Sequence, residues 1–394
     1  MTDPRSSAER TTDVDAVVVG AGLAGLYMLY RLRELGLRTR VFEAGSDVGG
    51  VWYWNRYPGA RCDIESLDYS YSFSDELQQE WCWSERYAAQ PEILRYINHV
   101  ADRFDLRRDI TFDTRVMAAH YDEAVRRWIV ETDTGERVTA VVCIMAVGCL
   151  SAAQAPQYPG LASFGGRWYH TGAWPHERVA FSGQRVGVIG TGSSAIQSIP
   201  IIAREAEHLF VFQRTPNFSV PAHNRPLDPP VVRELKSRYP EYRQQLRESR
   251  SGYLAWLTPN SERPALEATP EGREREYMAR WERGGFGLLA AFSDLYANRE
   301  ANETAAQFVR DRIREIVYDP VVAEELMPRT YPIGAKQRRR QAEGIATIYS
   351  QLVRDGFDQV AVLGDKSRQV DAADLLFPLD DKLYIAGQIP ILIQ

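Results

Sequence analysis

Hydrophobic and polar positions along the chain fall into a block that occurs twice. Val14 to Val19 is a short β-branched run, the pattern of a buried parallel strand. It enters the glycine-rich GAGLAG at Gly20 to Gly25, and Leu23 to Leu35 then carries apolar residues at helical spacing. A second strand, Thr39 to Phe42, comes next. The block returns with a strand at Arg185 to Ile189, GTGSSA at Gly190 to Ala195, and a strand at His208 to Phe212. Between the two, Pro91 to Phe104 reads as an amphipathic helix, and Arg127 to Ala146 alternates around a turn at Thr134-Gly135. Val141 to Gly148 (VVCIMAVG) is expected to be a buried strand of the first sheet. The proline-rich Asn224 to Pro230 marks a boundary, after which residues 231–326 are charged, helical in pattern and without a strand-like run.

The fold class is therefore α/β: two Rossmann-like dinucleotide-binding domains with an inserted helical subdomain. The expected divisions are a disordered tail over 1–13, a first nucleotide domain over 14–150, a second over 151–225, and a helical insertion over 226–326. Residues 327–369 are expected to return to the second domain and 370–394 to the first.

The two glycine loops differ in the residues that come after them. Strand, glycine turn and helix together present backbone N–H groups and the positive helix end to a pyrophosphate, through Gly20, Gly22 and Gly25 in the first block. Glu43 stands 23 residues after Gly20, where a carboxylate accepts both hydroxyls of an unphosphorylated adenosine ribose. Gly49 and Gly50 come next, where a side chain would obstruct the diphosphate, so this block reads as an FAD site. In the second block Gly190, Thr191, Gly192, Ser193 and Ser194 form the phosphate cradle, with Ala195 in the third glycine position. Arg214 stands 24 residues after Gly190, where the first block has its acid. A guanidinium there pairs with a 2′-phosphate and Thr215 adds a hydroxyl, so the second block reads as an NADPH site.

Composition narrows the setting. The chain has 394 residues, enough for two or three domains, and a net charge of −6, which argues against a nucleic-acid binder. No apolar run approaches the ~18 residues of a spanning helix, and the polar N-terminus MTDPRSSAERTTD is not a signal peptide. The four cysteines have no CxxC spacing, which suggests neither a disulfide framework nor a metal site and favours a reducing cytoplasm.

One further segment lies between the loops: FGGRWYHTGAWP. It fills every fixed position of F-x-G-x-x-x-H-x-x-x-W-P with Phe164, Gly166, His170, Trp174 and Pro175. This pattern resembles the fingerprint of the Baeyer–Villiger monooxygenases, flavoenzymes that insert one oxygen atom beside a ketone carbonyl. The resemblance runs from about Val14 to Lys336. It implies that VWYWNRYPGARCDIESLDYSYSF lies near the flavin, with Trp52 and Asp63 lining flavin and nicotinamide and with Tyr69 and Val116 contacting FAD. It implies Asp63 as a catalytic carboxylate, Lys336 (ending MPRTYPIGAK) as a cofactor-binding and catalytic position, and His170 and Trp174 as couplers of the two domains. The helical insertion resembles the family's lid, where Tyr253, Trp256, Phe286 and Phe292 are lining or core aromatics.

The implied reaction uses FAD, NADPH and O2 to turn a ketone into an ester or lactone. The sequence departs from the family in three places, one of them the part after Lys336, where the family's following run and its second Ala-Thr-Gly segment are not visible. Ala146-Val147-Gly148 stands for Ala-Thr-Gly, and Lys336-Gln337-Arg338 stands where the family continues Lys-Arg, leaving Arg338 one residue late. An NADPH oxidase uncoupled into hydrogen peroxide, or an inactive nucleotide-binding homologue, is the alternative that these departures raise. Asp358 to Leu363 and Lys382 to Gly387 are the two candidate strands of the remaining tail. Neither the particular ketone nor the oligomeric state is legible.

Overall fold

A computed structural model describes residues 12–150, 165–213, 215–249, 262–335 and 362–363. Their contacts divide into two units, the first built from residues up to Arg56 and from Gln90–His176, the second from Tyr57–Ala89 and from Glu177 onward.

The first unit holds a six-stranded sheet of order β3-β2-β1-β6-β5-β4. Strand β1 (Thr12–Val19) leads through the first glycine loop into α1 (Leu23–Glu34) and on to β2 (Thr39–Phe42). The strand pairs in parallel with β2, in the register Val18↔Val41 and Val19↔Phe42. A parallel strand covered on both faces must be apolar throughout, and Ala16, Val17 and Val18 are fully buried. Helix α1 buries Gly25, Leu26, Leu29 and Leu32, one stripe at helical spacing. Burying a leucine such as Leu29 stabilises by about 2 kcal/mol. Next come α2 (Val51–Trp54), α3 (Asp75–Glu80, in the second unit) and α4 (Gln90–Arg103), which buries Ile93, Tyr96, Ile97 and Val100.

The sheet is completed by β3 (Ile110–Thr111), which pairs in parallel with β2, and by β4 (Val116–Asp122), β5 (Arg127–Thr132) and β6 (Arg137–Met145). The last three form an antiparallel meander, and β6 lies parallel to β1. The alternation read over 127–146 is the β5–β6 hairpin, whereas β4 carries no comparable sequence signal because most of its residues are half exposed.

Two expectations for this unit change. The tail was expected to extend to residue 13, but Thr12 and Asp13 belong to β1 and pair with Val138 and Thr139. The Thr139 hydroxyl donates to the Asp13 carboxylate at 2.9 Å, which holds that end. Val141 to Gly148 is also not a buried strand: Val141, Val142 and Met145 are about half exposed. The physical reason is register. Strand β5 pairs with β6 only as far as Ala140, opposite Trp128, so beyond that point β6 has β1 alone as a partner among the described residues.

The second unit contains a smaller parallel sheet of order β7-β8-β9, formed by β7 (Arg185–Ile189), β8 (His208–Phe212) and β9 (Val362–Leu363). Helix α5 (Ser193–Glu205) connects β7 to β8 and buries Ile196, Ile199 and Ile202. Residues 229–326 then form α6 (Pro229–Ser237), α7 (Tyr239–Glu248), α8 (Pro270–Arg283), α9 (Arg299–Ile316) and α10 (Pro320–Leu326), with no strand among the described residues. Their core joins Tyr277, Leu288, Phe292, Ala305, Phe308 and Val309. Phe292 therefore packs edge-on against Tyr277, at 5.4 Å between ring centroids, as a core residue. Tyr253 and Trp256 lie outside the described residues.

Residues 57–89 were expected within the first nucleotide domain, yet their contacts place them in the second unit. Polar anchors account for this. The buried Arg86 bonds both Glu65 and the backbone carbonyl of Arg283, and its backbone N–H donates to the Arg225 carbonyl. Asn224 accepts from the Tyr87 N–H at 2.9 Å. The buried Lys236 donates to the carbonyls of Gln79 and Trp81, both at 2.7 Å. Glu85 bonds Arg61 and Asn224; burial raises its carboxyl pKa, but these partners outweigh burial and the net shift is downward. A carboxyl held low stabilises the fold above its unfolded value and loses that contribution as pH falls through the folded value. The 61–85 junction is therefore expected to loosen as pH falls below the ordinary glutamate range and Glu85 takes up its proton. Hydrogen exchange over residues 84–87 should report the loosening, and Glu85→Gln should remove most of its pH dependence.

Candidate functional site

At the first glycine loop the backbone leaves no room for side chains. A Cβ on Gly25 would stand 1.8 Å from the Gly20 carbonyl oxygen, so helix α1 packs directly on the end of β1. Gly22 and Gly50 back onto each other, a Cβ on Gly50 meeting Gly22 Cα at 2.8 Å. Glu43, at the end of β2, is 5% exposed and spans the loop: Oε2 accepts from Ala21 N at 2.7 Å and Oε1 from Gly45 N at 2.8 Å. The carboxylate expected to meet a ribose thus also ties the loop to the turn after β2. Each oxygen keeps a second lone pair for a further donor. Trp52 is buried in α2, and its carbonyl accepts from the Gln90 side chain. Val116 begins β4 opposite Thr132, beside a register shift, and packs on the core of the first sheet.

The second loop is open. A Cβ on Gly190 or Gly192 would meet nothing within 4 Å. Helices α1 and α5, and with them the four-residue α2 after Gly50, share one feature: a glycine N-cap, Gly22 or Gly192 in the two long helices, without a side chain to bond the first-turn N–H groups, and no acid in the first turn. By contrast α3, α8, α9 and α10 are capped by the side chains of Ser74, Thr269, Asn298 and Asp319, while α6 and α7 carry proline in their first turns. A glycine cap leaves the positive helix end to an anion.

Sequence reasoning missed the residues that hold the second loop. The buried Asn217 donates to the Thr191 carbonyl at 2.8 Å and to its hydroxyl at 3.2 Å. The Tyr331 hydroxyl donates to the Pro216 carbonyl at 2.7 Å and lies 3.3 Å from Asn217 Oδ1. The signal was present in the turn, since Asn217 comes two residues after Thr215 and is a polar residue between apolar neighbours. Asn217→Ala strands buried partners at a cost of about 1–3 kcal/mol. It should weaken NADPH and NADH alike by roughly tenfold, because it disturbs the loop rather than the 2′-phosphate end; a calorimetric titration of each nucleotide tests this.

The segment expected near the flavin and nicotinamide is fastened to α5. Asp63 Oδ1 accepts from Gln197 Nε2 at 3.1 Å. The Tyr57 hydroxyl donates to Gln197 Oε1 at 2.9 Å. Tyr69 lies in the same unit, its N–H bonded to the Glu65 carbonyl at 3.0 Å. Asp63 and Tyr69 thus belong to the second unit, and Trp52 and Val116 to the first. Thr215 is half buried after β8, and Arg214 lies outside the described residues.

Of the fingerprint, Gly166, His170, Trp174 and Pro175 are described and Phe164 is not. His170 Nδ1 accepts from Gly172 N at 3.2 Å and so caps the turn Thr171–Ala173. Trp174 lies beside Tyr169, ring centroids 5.2 Å apart. One residue past Pro175, the His176 ring meets the edge of Tyr53 at 5.0 Å, and the chain passes into the second unit. The fingerprint is thus the last stretch of the first unit before the crossing. Lys336 and Arg338 lie outside the described residues.

Two sheets, each with a parallel strand pair joined through a glycine turn at a helix start, define a two-dinucleotide flavoprotein architecture. Residues 14–225 match the flavin-binding monooxygenase-like family. The chain is 47% identical over 320 residues, 80% of its own length, to a Baeyer–Villiger monooxygenase of Pseudooceanicola batsensis, and spans 58% of that relative. It is 38% identical over 97% of its length to a 2-oxo-Δ3-4,5,5-trimethylcyclopentenylacetyl-CoA monooxygenase of Pseudomonas putida, covering 71% of it. Among solved structures, a steroid monooxygenase bound to NADP superposes with a TM-score of 0.83 at 54% identity, over 90% of this chain and 66% of that one. The chain belongs to the flavin-binding monooxygenase-like family and, within it, to the Baeyer–Villiger monooxygenases.

Proposed function

We propose that the chain is an FAD- and NADPH-dependent monooxygenase that inserts one atom of O2 beside a ketone carbonyl, giving an ester or lactone. The observation that carries this reading is the pair of glycine-capped helix starts, α1 and α5, with Glu43 bound across the first of them. Both starts fit a pyrophosphate: the Gly22–Gly50 approach leaves backbone alone on one surface, and Gly190 and Gly192 would admit a ligand where a side chain would project. FAD would be held by Gly20, Gly22, Gly25, Glu43 and Gly50, and NADPH by Gly190, Thr191, Gly192, Ser193, Ser194, Arg214, Thr215 and Lys336. A related structure, named as a complex with FAD and NADP, supports this pairing at 39% identity and a TM-score of 0.83.

When bound, the two cofactors supply reducing equivalents from NADPH and oxygen activation on the flavin. The chain supplies placement. Glu43 orients the ribose, the two loops hold the diphosphates, and Asp63 faces the nicotinamide end from its anchor on α5. His170 fixes the turn that leads from one unit to the next. Lys336 and Arg338 would supply positive charge to the bound cofactors, since Gln337 brings none. A cytoplasmic setting suits the reading: none of the four cysteines is in a disulfide, and no described helix is long and apolar enough to cross a membrane.

The test is the absorbance spectrum of the purified chain with and without added FAD, then NADPH consumption over a panel of ketones. A retained flavin spectrum with ester formed in step with NADPH is the expected result. Peroxide in place of ester marks an uncoupled oxidase, which Gln337 would explain. A chain that retains no flavin overturns the reading.

A further inference from the structure

Helix α5 reads SSAIQSIPIIARE, and on its buried side Gln197 interrupts an apolar stripe. Gln197 is 8% exposed, and both ends of its amide are spent on one segment. Oε1 accepts from the Tyr57 hydroxyl at 2.9 Å and from Arg61 N at 3.3 Å. Nε2 donates to the Arg61 carbonyl at 3.2 Å and to Asp63 Oδ1 at 3.1 Å. A primary amide has two donors and two acceptor lone pairs, so this set is complete. The backbone passes equally close: a Cβ on Gly59 would stand 2.2 Å from the Gln197 carbonyl oxygen, and the φ of 78° there suits glycine. Tyr57 also lies beside Ser194, in the first turn of α5. Burial raises its phenol pKa, as does the nearby Asp63 charge, against a lowering by Ser194, so Tyr57 stays protonated and donates.

We propose that Gln197 is the positioning residue for Asp63, fixing its carboxylate to the first turns of α5 so that it meets the nicotinamide end of a dinucleotide cradled by Gly190 to Ser194. This rests on the reading of Asp63 as a nicotinamide-facing group. Tyr57 is the second strut, donating to the same amide from within the segment that carries Asp63.

The experiment compares Gln197→Ala, Gln197→Glu, Asp63→Ala and the Gln197→Ala/Asp63→Ala double variant of the full chain. NADP+ binding is read by calorimetry, which needs no flavin, and flavin reduction by NADPH is read by stopped-flow bleaching. Each alanine variant is expected to weaken NADP+ and slow reduction by roughly tenfold, and the double variant to be no worse than the worse single, as residues in one network couple. Gln197→Glu keeps the shape but sets a second carboxylate beside Asp63. Two carboxylates this close share a proton at low pH and repel once both ionise. That variant should therefore approach the unmodified chain at low pH and fall away as pH rises, whereas Gln197→Ala should have no such recovery. A packing role alone would lower the melting temperature of both variants at every pH without that recovery.

Multiplicative losses in the double variant, or a Gln197→Glu defect independent of pH, overturn the proposal. So does a silent Gln197→Ala beside an impaired Asp63→Ala, a result that leaves the role of Asp63 standing. A silent Asp63→Ala removes the reading of Asp63, and this proposal with it.

Discussion

Gly25→Ala is expected to leave the chain without bound flavin, whereas Gly192→Ala should leave the fold untouched and still cost the second nucleotide. The two glycines occupy neighbouring places in equivalent loops but fail for different reasons. A Cβ on Gly25 overlaps the Gly20 carbonyl at 1.8 Å, so either α1 or the end of β1 must move. Overpacking of this kind costs about 3 kcal/mol or more when the obstacle is backbone. The displaced loop would also lose its hold on Glu43, which accepts from Ala21 N. Retention of FAD on desalting should fall by roughly a hundredfold in affinity, with a lower melting temperature. At Gly192 the φ of −73° is ordinary for any residue, and a Cβ meets nothing within 4 Å. An alanine there conflicts only with a ligand drawn close to the backbone. An unchanged melting temperature with NADP+ affinity lowered roughly tenfold or more is the expected pair of results. Unchanged NADP+ affinity would remove the second loop as the pyrophosphate site.

Arg214→Ala should separate NADPH from NADH. Gly190 N donates to the carbonyl of Phe212, where β8 ends, and Asn217 is tied back to Thr191. The chain on either side of this position is therefore held to the second loop, as Glu43 is held to the first. A charge-assisted bond to the 2′-phosphate contributes about 1.5–3 kcal/mol. NADPH affinity should fall by roughly ten- to hundredfold, and NADH affinity should hardly change. Equal losses would show that Arg214 supports the fold or the loop, the outcome expected instead for Asn217→Ala. The two variants together distinguish the phosphate end of the dinucleotide from its diphosphate.

Local chemistry made much of this legible in advance. Arg185–Ile189 and His208–Phe212 have the bounds that their apolar runs predict, and β1 and α1 begin or end within two residues of theirs. Such elements are written by neighbours: β-branched runs make strands, and glycine where no Cβ fits makes the turn. Glu43 and the two loops are candidates of the same local origin, because a nucleotide site at a strand end is set by a few residues at fixed spacing. The tertiary structure alone decided the rest. Residues 57–89 join the second unit through Arg86, Asn224 and Lys236, and Asp63 meets Gln197 across a separation of 134 residues. No periodicity encodes which buried amide will face which carboxylate. Nor could the run Val141–Met145 announce its exposure, since that results from β5 ending its pairing at Ala140. Spacing along the chain fixes what each loop can bind; hydrogen bonds between distant segments fix which unit each side chain serves.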